Sequence, residues 1–179
     1  MDSPLVVVIG FTRSKLSPHL DYRPCAGVAL VNAGGEVFVG RRRGERGAHA
    51  WQMPQGGIDA DEAPLAAAQR ELYEETNVRS ARLVAEAPEW LAYDLPEGAR
   101  GRFGGRYRGQ TQKWFLFRFE GDEAEIDIHR PADGKHGAEF EDWRWERFDA
   151  LPDLVVPFKR AVYVQVVAWF APLAAQRPA

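Results

Sequence analysis

Between Gly56 and Val78 the chain reads GGIDADEAPLAAAQRELYEETNV, and the spacing leaves little freedom in how this stretch folds. Pro64 suits the first turn of a helix, where its missing N–H costs nothing. From there Leu65, Ala68, Leu72 and Thr76 recur at helical spacing and mark one inward stripe. Glu71, Glu74 and Glu75 stand at i, i+3 and i+4 and share a different face. Asn77 tolerates the left-handed conformation that ends helices. The apolar stripe must be covered, while the acidic row repels itself by roughly 0.2–0.5 kcal/mol per pair. Stability alone does not ask for that row. A hard divalent cation, which takes oxygen ligands, would convert the repulsion into binding.

Around this helix the sequence alternates strands and loops. Residues 25–32 and 36–41 read as two strands joined by a hairpin turn at Ala33-Gly34-Gly35. Residues 44–57, rich in Gly, His and Arg, read as a loop. A strand is expected over 81–92, a long loop over 94–110, an aromatic-rich strand over 112–119 and a short strand over 142–148. Residues 120–127 and 129–139 read as exposed loops. Trp114 and Phe115 point to opposite sides of their strand, and one is expected in a cleft or under the last helix. Trp143 and Trp145 share a face and are expected to pack. The last helix runs from Phe158 to Phe170 with Val162, Val166 and Trp169 on one side, and Pro172 is expected to stop it. The mixture predicts one α/β domain with a mixed sheet covered by helices.

Several functions are excluded or disfavoured. A formal net charge of −3 does not fit a generally basic, nucleic-acid-coating protein, although a local basic groove remains compatible with it. One cysteine, Cys25, forms no internal disulfide and points to a reducing compartment. Leu5-Val6-Val7-Val8-Ile9 is too short to span a bilayer, and Asp2 before it makes a poor signal peptide. It reads as a strand or a loosely attached extension, and the cytoplasm is the expected location. There is no Walker A sequence, no Gly-x-Ser-x-Gly elbow and no zinc-ligand spacing.

The wider pattern is more specific than the helix alone. Gly56, Glu62, Arg70-Glu71, Glu74-Glu75 and Val78 stand at the spacing of the Nudix box, and the chain resembles the Nudix hydrolases. Six fixed Gly, Arg or Glu positions coincide by chance about once in 10⁷ to 10⁸ starts at ordinary residue frequencies. Asn77 departs from the family's glycine, but both residues reach positive φ. Tyr22-Arg23-Pro24, Trp51-Gln52-Met53-Pro54-Gln55-Gly56-Gly57, Gln112-Lys113-Trp114-Phe115-Leu116 and Phe158-Lys159-Arg160 are similar to the branch of bacterial RNA pyrophosphohydrolases and dinucleoside polyphosphate hydrolases. The likeness runs from about Tyr22 to Phe170. It implies a Nudix-type α/β/α sandwich over residues 21–173, with residues 1–20 as an N-terminal extension and 174–179 as a tail.

What the resemblance implies for the site follows residue by residue. Glu71, Glu74 and Glu75 would hold Mg²⁺, with Mn²⁺ or another divalent metal as substitutes, joined by a backbone carbonyl at Gly56. Gly57 lets backbone approach the ligand. Arg70 is expected to project away from the metal and pair with Glu62, so both support the site. By composition Glu139 is one acid in a polar loop, but its Glu-Phe-x-x-Trp-x-Trp context resembles the position that supplies a carboxylate across the cleft, as metal ligand or base. Arg23, Arg42, Lys113, Lys159 and Tyr93 are the expected substrate contacts, arginine offering the forked donors phosphates need. The basic loop from Arg100 through Arg102, Arg106 and Arg108 to Lys113, with Phe103 and Tyr107 interleaved, is either a single-strand RNA contact or a solubilising loop.

The expected reaction is release of pyrophosphate from 5′-triphosphate RNA, leaving a monophosphate end and so initiating mRNA decay. The alternative is asymmetric hydrolysis of diadenosine tetraphosphate or a related dinucleotide. A catalytically silent nucleotide- or RNA-binding module is the reading from another class, and intact box glutamates argue against it. A monomer that binds neither duplex DNA nor membrane completes the expectation.

Overall fold

Strands far apart in the chain meet at the centre of one sheet. The computed structural model describes residues 8–9, 21–100, 106–130 and 137–176. Within them, nine strands join: β1 (Val8–Ile9), β2 (Tyr22–Val31), β3 (Val37–Arg42), β4 (Trp51–Gln52), β5 (Gln55–Gly57), β6 (Ala81–Glu86), β7 (Trp90–Asp94), β8 (Gly109–Phe119) and β9 (Phe140–Glu146). The helices are α1 (Pro64–Thr76), α2 (Glu97–Arg100), α3 (Leu151–Leu154) and α4 (Arg160–Ala174). β2 and β8 run parallel from Tyr22↔Gly109 to Val31↔Arg118, and the remaining pairings are antiparallel, so the sheet is mixed.

Alternation along β8 builds two cores. Trp114 and Leu116 join Tyr163, Val166 and Phe170 of α4 on one face. Phe115 and Phe117 join Ala68 and Leu72 of α1 on the other. Both Trp114 and Phe115 are therefore buried, as strands covered on both faces require. Each such side chain stabilises the fold by about 1.5–3 kcal/mol relative to exposure. Trp114 lies over Gly27, where a Cβ would come within 2.6 Å of its ring. Trp143 and Trp145 pack on Phe38, with ring centroids 5.5 and 6.3 Å away. The result is the expected α/β/α sandwich.

Several boundaries differ from the sequence reading. The segment 44–57 is not all loop: β4 pairs with β3, β5 pairs with β2, and the Val28 N–H donates to Pro54 O. The expected strand over 81–92 is two strands, β6 and β7, both laid along β8. They break at residue 87, where the Ala87 N–H donates to Trp114 O at 2.9 Å. Pro172 does not stop α4, which runs on to Ala174. Phe170 and Ala174 are buried, and Arg118 donates to the carbonyls of Ala174 and Gln176 at 2.9 and 3.1 Å. Arg102 and Phe103, most of residues 1–20, residues 131–136 and residues 177–179 lie outside the described residues. β1 pairs with β7 through Val8↔Leu91. No described helix is long and apolar enough to cross a membrane.

The C-terminus of α1 shows why asparagine suits position 77. Its φ is 62°, and its N–H donates to Tyr73 O at 2.8 Å, closing the helix. Its side-chain amide also donates to Asp127 O and Arg130 O, both at 2.6 Å. Glycine could make the turn but not those two bonds.

Candidate active site

A cleft of about 510 Å³ opens where α1, β5 and the start of α4 meet. Glu71, Glu74 and Glu75 line it from α1, with Gly56 and Gly57 of β5 beside them. Arg23 of β2, Arg42 at the end of β3, Tyr93 of β7 and Lys159 just before α4 form the facing walls. Glu139, immediately before β9, closes the circle and accepts from Arg42 Nε at 3.0 Å. Residues that are far apart in the chain thus share one cavity.

The two glycines make room for one acid and one base. A Cβ at Gly56 would fall inside the Glu71 carboxylate, and one at Gly57 inside the Arg23 guanidinium. β5 is held in place from both ends of the fold. Its strand pairs with Cys25, Ala26 and Gly27, and the preceding Met53 N–H donates to the buried Tyr163 hydroxyl at 2.9 Å.

Arg70 behaves differently from the expectation. It pairs with Glu62 through Nε and Nη2, both at 2.8 Å, and Nη2 also donates to Gly57 O at 2.7 Å. It does not project away from the acidic row, however. Nη1 donates to Glu71 at 2.8 Å and Glu74 at 3.1 Å, because the five-donor planar fork, midway along α1, reaches both. Glu62 itself is not on the cleft wall. Its bond from Arg70 holds its carboxyl below the ordinary range.

Lys113 is also placed differently. It is buried in β8, and its ammonium donates to Ala87 O at 2.5 Å and pairs with Glu86 at 2.9 Å. It stitches the break between β6 and β7 and does not line the cleft. Of the basic loop, Arg108 is engaged by Asp94 through two bonds of 2.9 and 2.7 Å.

Burial sets the electrostatics. It pushes the Glu75 carboxyl well above the usual carboxylate range, and repulsion from Glu139 and Glu71 adds to that. The Gln55 N–H donates to Glu75 at 3.3 Å and partly opposes it. Glu71 is raised as well, chiefly by burial, with Arg70 pulling the other way. Burial and then Arg42 bring Lys159 down to about 8. Two carboxyls with raised proton affinity therefore share the cleft with a lysine whose charged form burial disfavours.

The donors offered are carboxylate, carbonyl and amide oxygens, which suit a hard divalent cation. Burial, with repulsion from Glu139 and Glu71, raises Glu75, and a cation would relieve both; the missing Cβ at Gly56 leaves its backbone open toward Glu71. Among the described residues no three acidic, histidine or cysteine side chains already converge as a finished cage.

Sequence reasoning passed over part of the lining. Gln52, Gln55, Gln110 and Phe158 all face the cleft. The signal for Gln110 is its i, i+2 relation to Gln112, which puts both on one side of a strand that begins at Gly109.

The NUDIX domain model matches residues 21–170. An RNA pyrophosphohydrolase of Mesorhizobium japonicum is 56% identical over 162 residues, covering 87% of this chain and 93% of that protein. One from Agrobacterium fabrum is 55% identical over 158 residues, covering 84% and 92%. Among solved structures, the Escherichia coli dihydroneopterin triphosphate pyrophosphohydrolase superposes with a TM-score of 0.62 at 19% identity, covering 82% of this chain and 97% of that one. A Caenorhabditis elegans Ap4A hydrolase gives 0.56 at 20% identity, covering 84% and 98%. The last two likenesses bear on the fold alone.

Proposed function

The chain belongs to the NUDIX domain family, and on that premise we propose that it hydrolyses a phosphoanhydride bond at the 5′-triphosphate end of RNA. Pyrophosphate leaves and a 5′-monophosphate remains. The observation that carries this reading is the meeting, in one cleft, of the α1 carboxylates with Arg23, Arg42 and Lys159. Acids alone would repel a polyphosphate, and cations alone would hold it without cleaving it. Relatives of this chain at 53–56% identity are RNA pyrophosphohydrolases, which supports RNA over other polyphosphates.

Glu71, Glu74, Glu75, Glu139 and the Gly56 carbonyl would hold a divalent cation, Mg²⁺ foremost. When bound, it neutralises phosphate charge and makes water a stronger nucleophile. Arg70 keeps the acidic row in register from below, while Glu62 and Gly57 O fix Arg70. Arg23 and Arg42 offer forked donors to phosphate oxygens. Lys159 adds a charge whose burial excludes water around it. Tyr93 lines the side of the cleft away from α1, with Phe158 tilted against it at 5.7 Å between centroids.

A competition tests the reading: purified protein, Mg²⁺, and either 5′-triphosphate RNA or diadenosine tetraphosphate. A higher kcat/KM for RNA with pyrophosphate as product is expected. Preference for the dinucleotide would replace the substrate, and ligand binding without metal-dependent turnover would make the protein a silent binding module.

A further inference from the structure

The floor of the cleft carries a hydrogen-bond chain whose direction is fixed from outside the cleft. Trp114 Nε1 donates to Gln112 Oε1 at 3.1 Å. An indole N–H can only donate, so Gln112 must turn its oxygen toward the ring. Its amide nitrogen then faces Gln55 Oε1 at 3.2 Å and Gln110 Oε1 at 3.4 Å. The Tyr93 hydroxyl also donates to Gln110 Oε1, at 2.5 Å. Every bond runs one way, and Gln110 Oε1 is where the chain ends.

Gln110 thereby has its oxygen saturated by two protein donors while its amide nitrogen has no partner among the described residues. Among the described residues no buried side-chain nitrogen or oxygen lacks a partner, so that nitrogen faces the open cleft it lines. Neither Trp114 nor Gln112 lines the cleft, and both are wholly buried. Swapping the Gln110 oxygen and nitrogen would set its amide nitrogen against that of Gln112, donor against donor. The ordinary ambiguity of an amide is removed here by a single indole N–H.

We propose that Trp114 and Gln112 are positioning residues that lock Gln110 with its –NH₂ toward the cleft, as a donor to an acceptor oxygen of the polyphosphate chain. The inference rests on the polyphosphate reading above. It adds that selection for an acceptor-rich ligand is set by two side chains that never touch it. Gly27 belongs to the device, since only a residue without Cβ lets the Trp114 ring lie flat enough against β2 to reach Gln112.

The test is a cycle of Trp114→Phe and Gln110→Met. Trp114→Phe keeps an aromatic ring and removes the only obligatory donor, leaving Gln112 and Gln110 free to reverse. The dissociation constant for inorganic tripolyphosphate with Mg²⁺ and the KM for 5′-triphosphate RNA should both rise about tenfold, the weight of one hydrogen bond to a charged oxygen, with kcat little changed. In the Gln110→Met background, Trp114→Phe should add nothing further to either constant. If Trp114→Phe does not fold, Gln112→Met, of similar volume, cuts the chain one bond later and is read in the same way. Unchanged tripolyphosphate affinity overturns the proposal, as do losses that simply add, since a packing defect would not act through Gln110. Failure of the wild type to cleave RNA would instead sink the functional reading, and the tripolyphosphate measurement would still judge the relay.

Discussion

Replacing Gly56 by alanine should damage chemistry without damaging the fold. The new Cβ would lie 2.0 Å from Glu71 Cδ and 2.1 Å from both carboxylate oxygens. Non-bonded carbon contacts are comfortable only near 3.5–4.0 Å. The Glu71 carboxylate must therefore retreat by roughly 1.5 Å, and it can, because it ends a flexible side chain. An off-rotamer side chain costs about 0.5–1.5 kcal/mol. Removing a glycine from the unfolded ensemble returns about 0.4–1 kcal/mol, so the net stability change is close to zero. Activity is another matter, since misplacement of about 1 Å at a reacting centre can cost ~10²-fold. The assay is kcat/KM for pyrophosphate release at saturating Mg²⁺, beside a thermal melt, for Gly56→Ala, Glu71→Ala and the double variant. A loss of about 10²-fold is expected for Gly56→Ala, with Tm moved by no more than ~3 °C. In the Glu71→Ala background the same change should add little, because the colliding carboxylate is gone. Activity within threefold of wild type, or an undiminished loss in that background, would refute the reasoning.

Glu75→Gln should lower kcat by ~10²-fold or more, because a carboxylate that would hold the cation is lost. Its effect on the metal-free fold has the opposite sign. The Glu75 carboxyl is raised in the folded protein, so wild type binds a proton more tightly folded than unfolded, and its stability falls as pH rises from the unfolded value near 4.5 through the raised one. Melts in EDTA should show Glu75→Gln gaining on wild type across that window and matching it in acid; a constant difference would contradict the burial assignment. Arg42→Ala removes a phosphate donor and the Glu139 partner, and steady-state kinetics should show kcat/KM down about tenfold with Tm nearly unchanged. Unaltered kinetics would return Arg42 to the solvent. Tyr163→Phe strands the Met53 N–H in the core, at a cost of about 1–3 kcal/mol. That corresponds to roughly 3–10 °C in a melt for a chain of this size, and an unmoved Tm would show that Met53 finds another acceptor.

What the sequence made legible was local. Pro64, the apolar stripe and Asn77 bound α1 through rules that act within a turn or two, and the helix forms over Pro64–Thr76. The acidic row needed only helical spacing to be seen. What escaped was set by partners distant in sequence. β6 and β7 separate because β8 accepts both along its length, and nothing near residue 87 announces Lys113 as the stitch. Arg70 could be paired with Glu62 on paper, yet its reach to Glu71 and Glu74 depends on the tilt of one guanidinium. The Gln110 amide is the extreme case. Its orientation follows from an indole on the far side of Gln112, and no spacing rule encodes the sense of a hydrogen bond.

The two cores described above also bear on how such a chain can change. The carboxylate wall rides on α1 over one sheet face, while Lys159 and the Tyr163 anchor ride at the start of α4 over the other. The sheet between them insulates one packing problem from the other. Substitutions can accumulate beneath α4, altering the grip on a ligand, while the layer beneath α1 stays untouched. New specificities are open to this architecture at little risk to the bond-breaking apparatus, and that risk is concentrated at β5, whose Gln55 N–H holds Glu75 and which follows the Met53 tied to Tyr163.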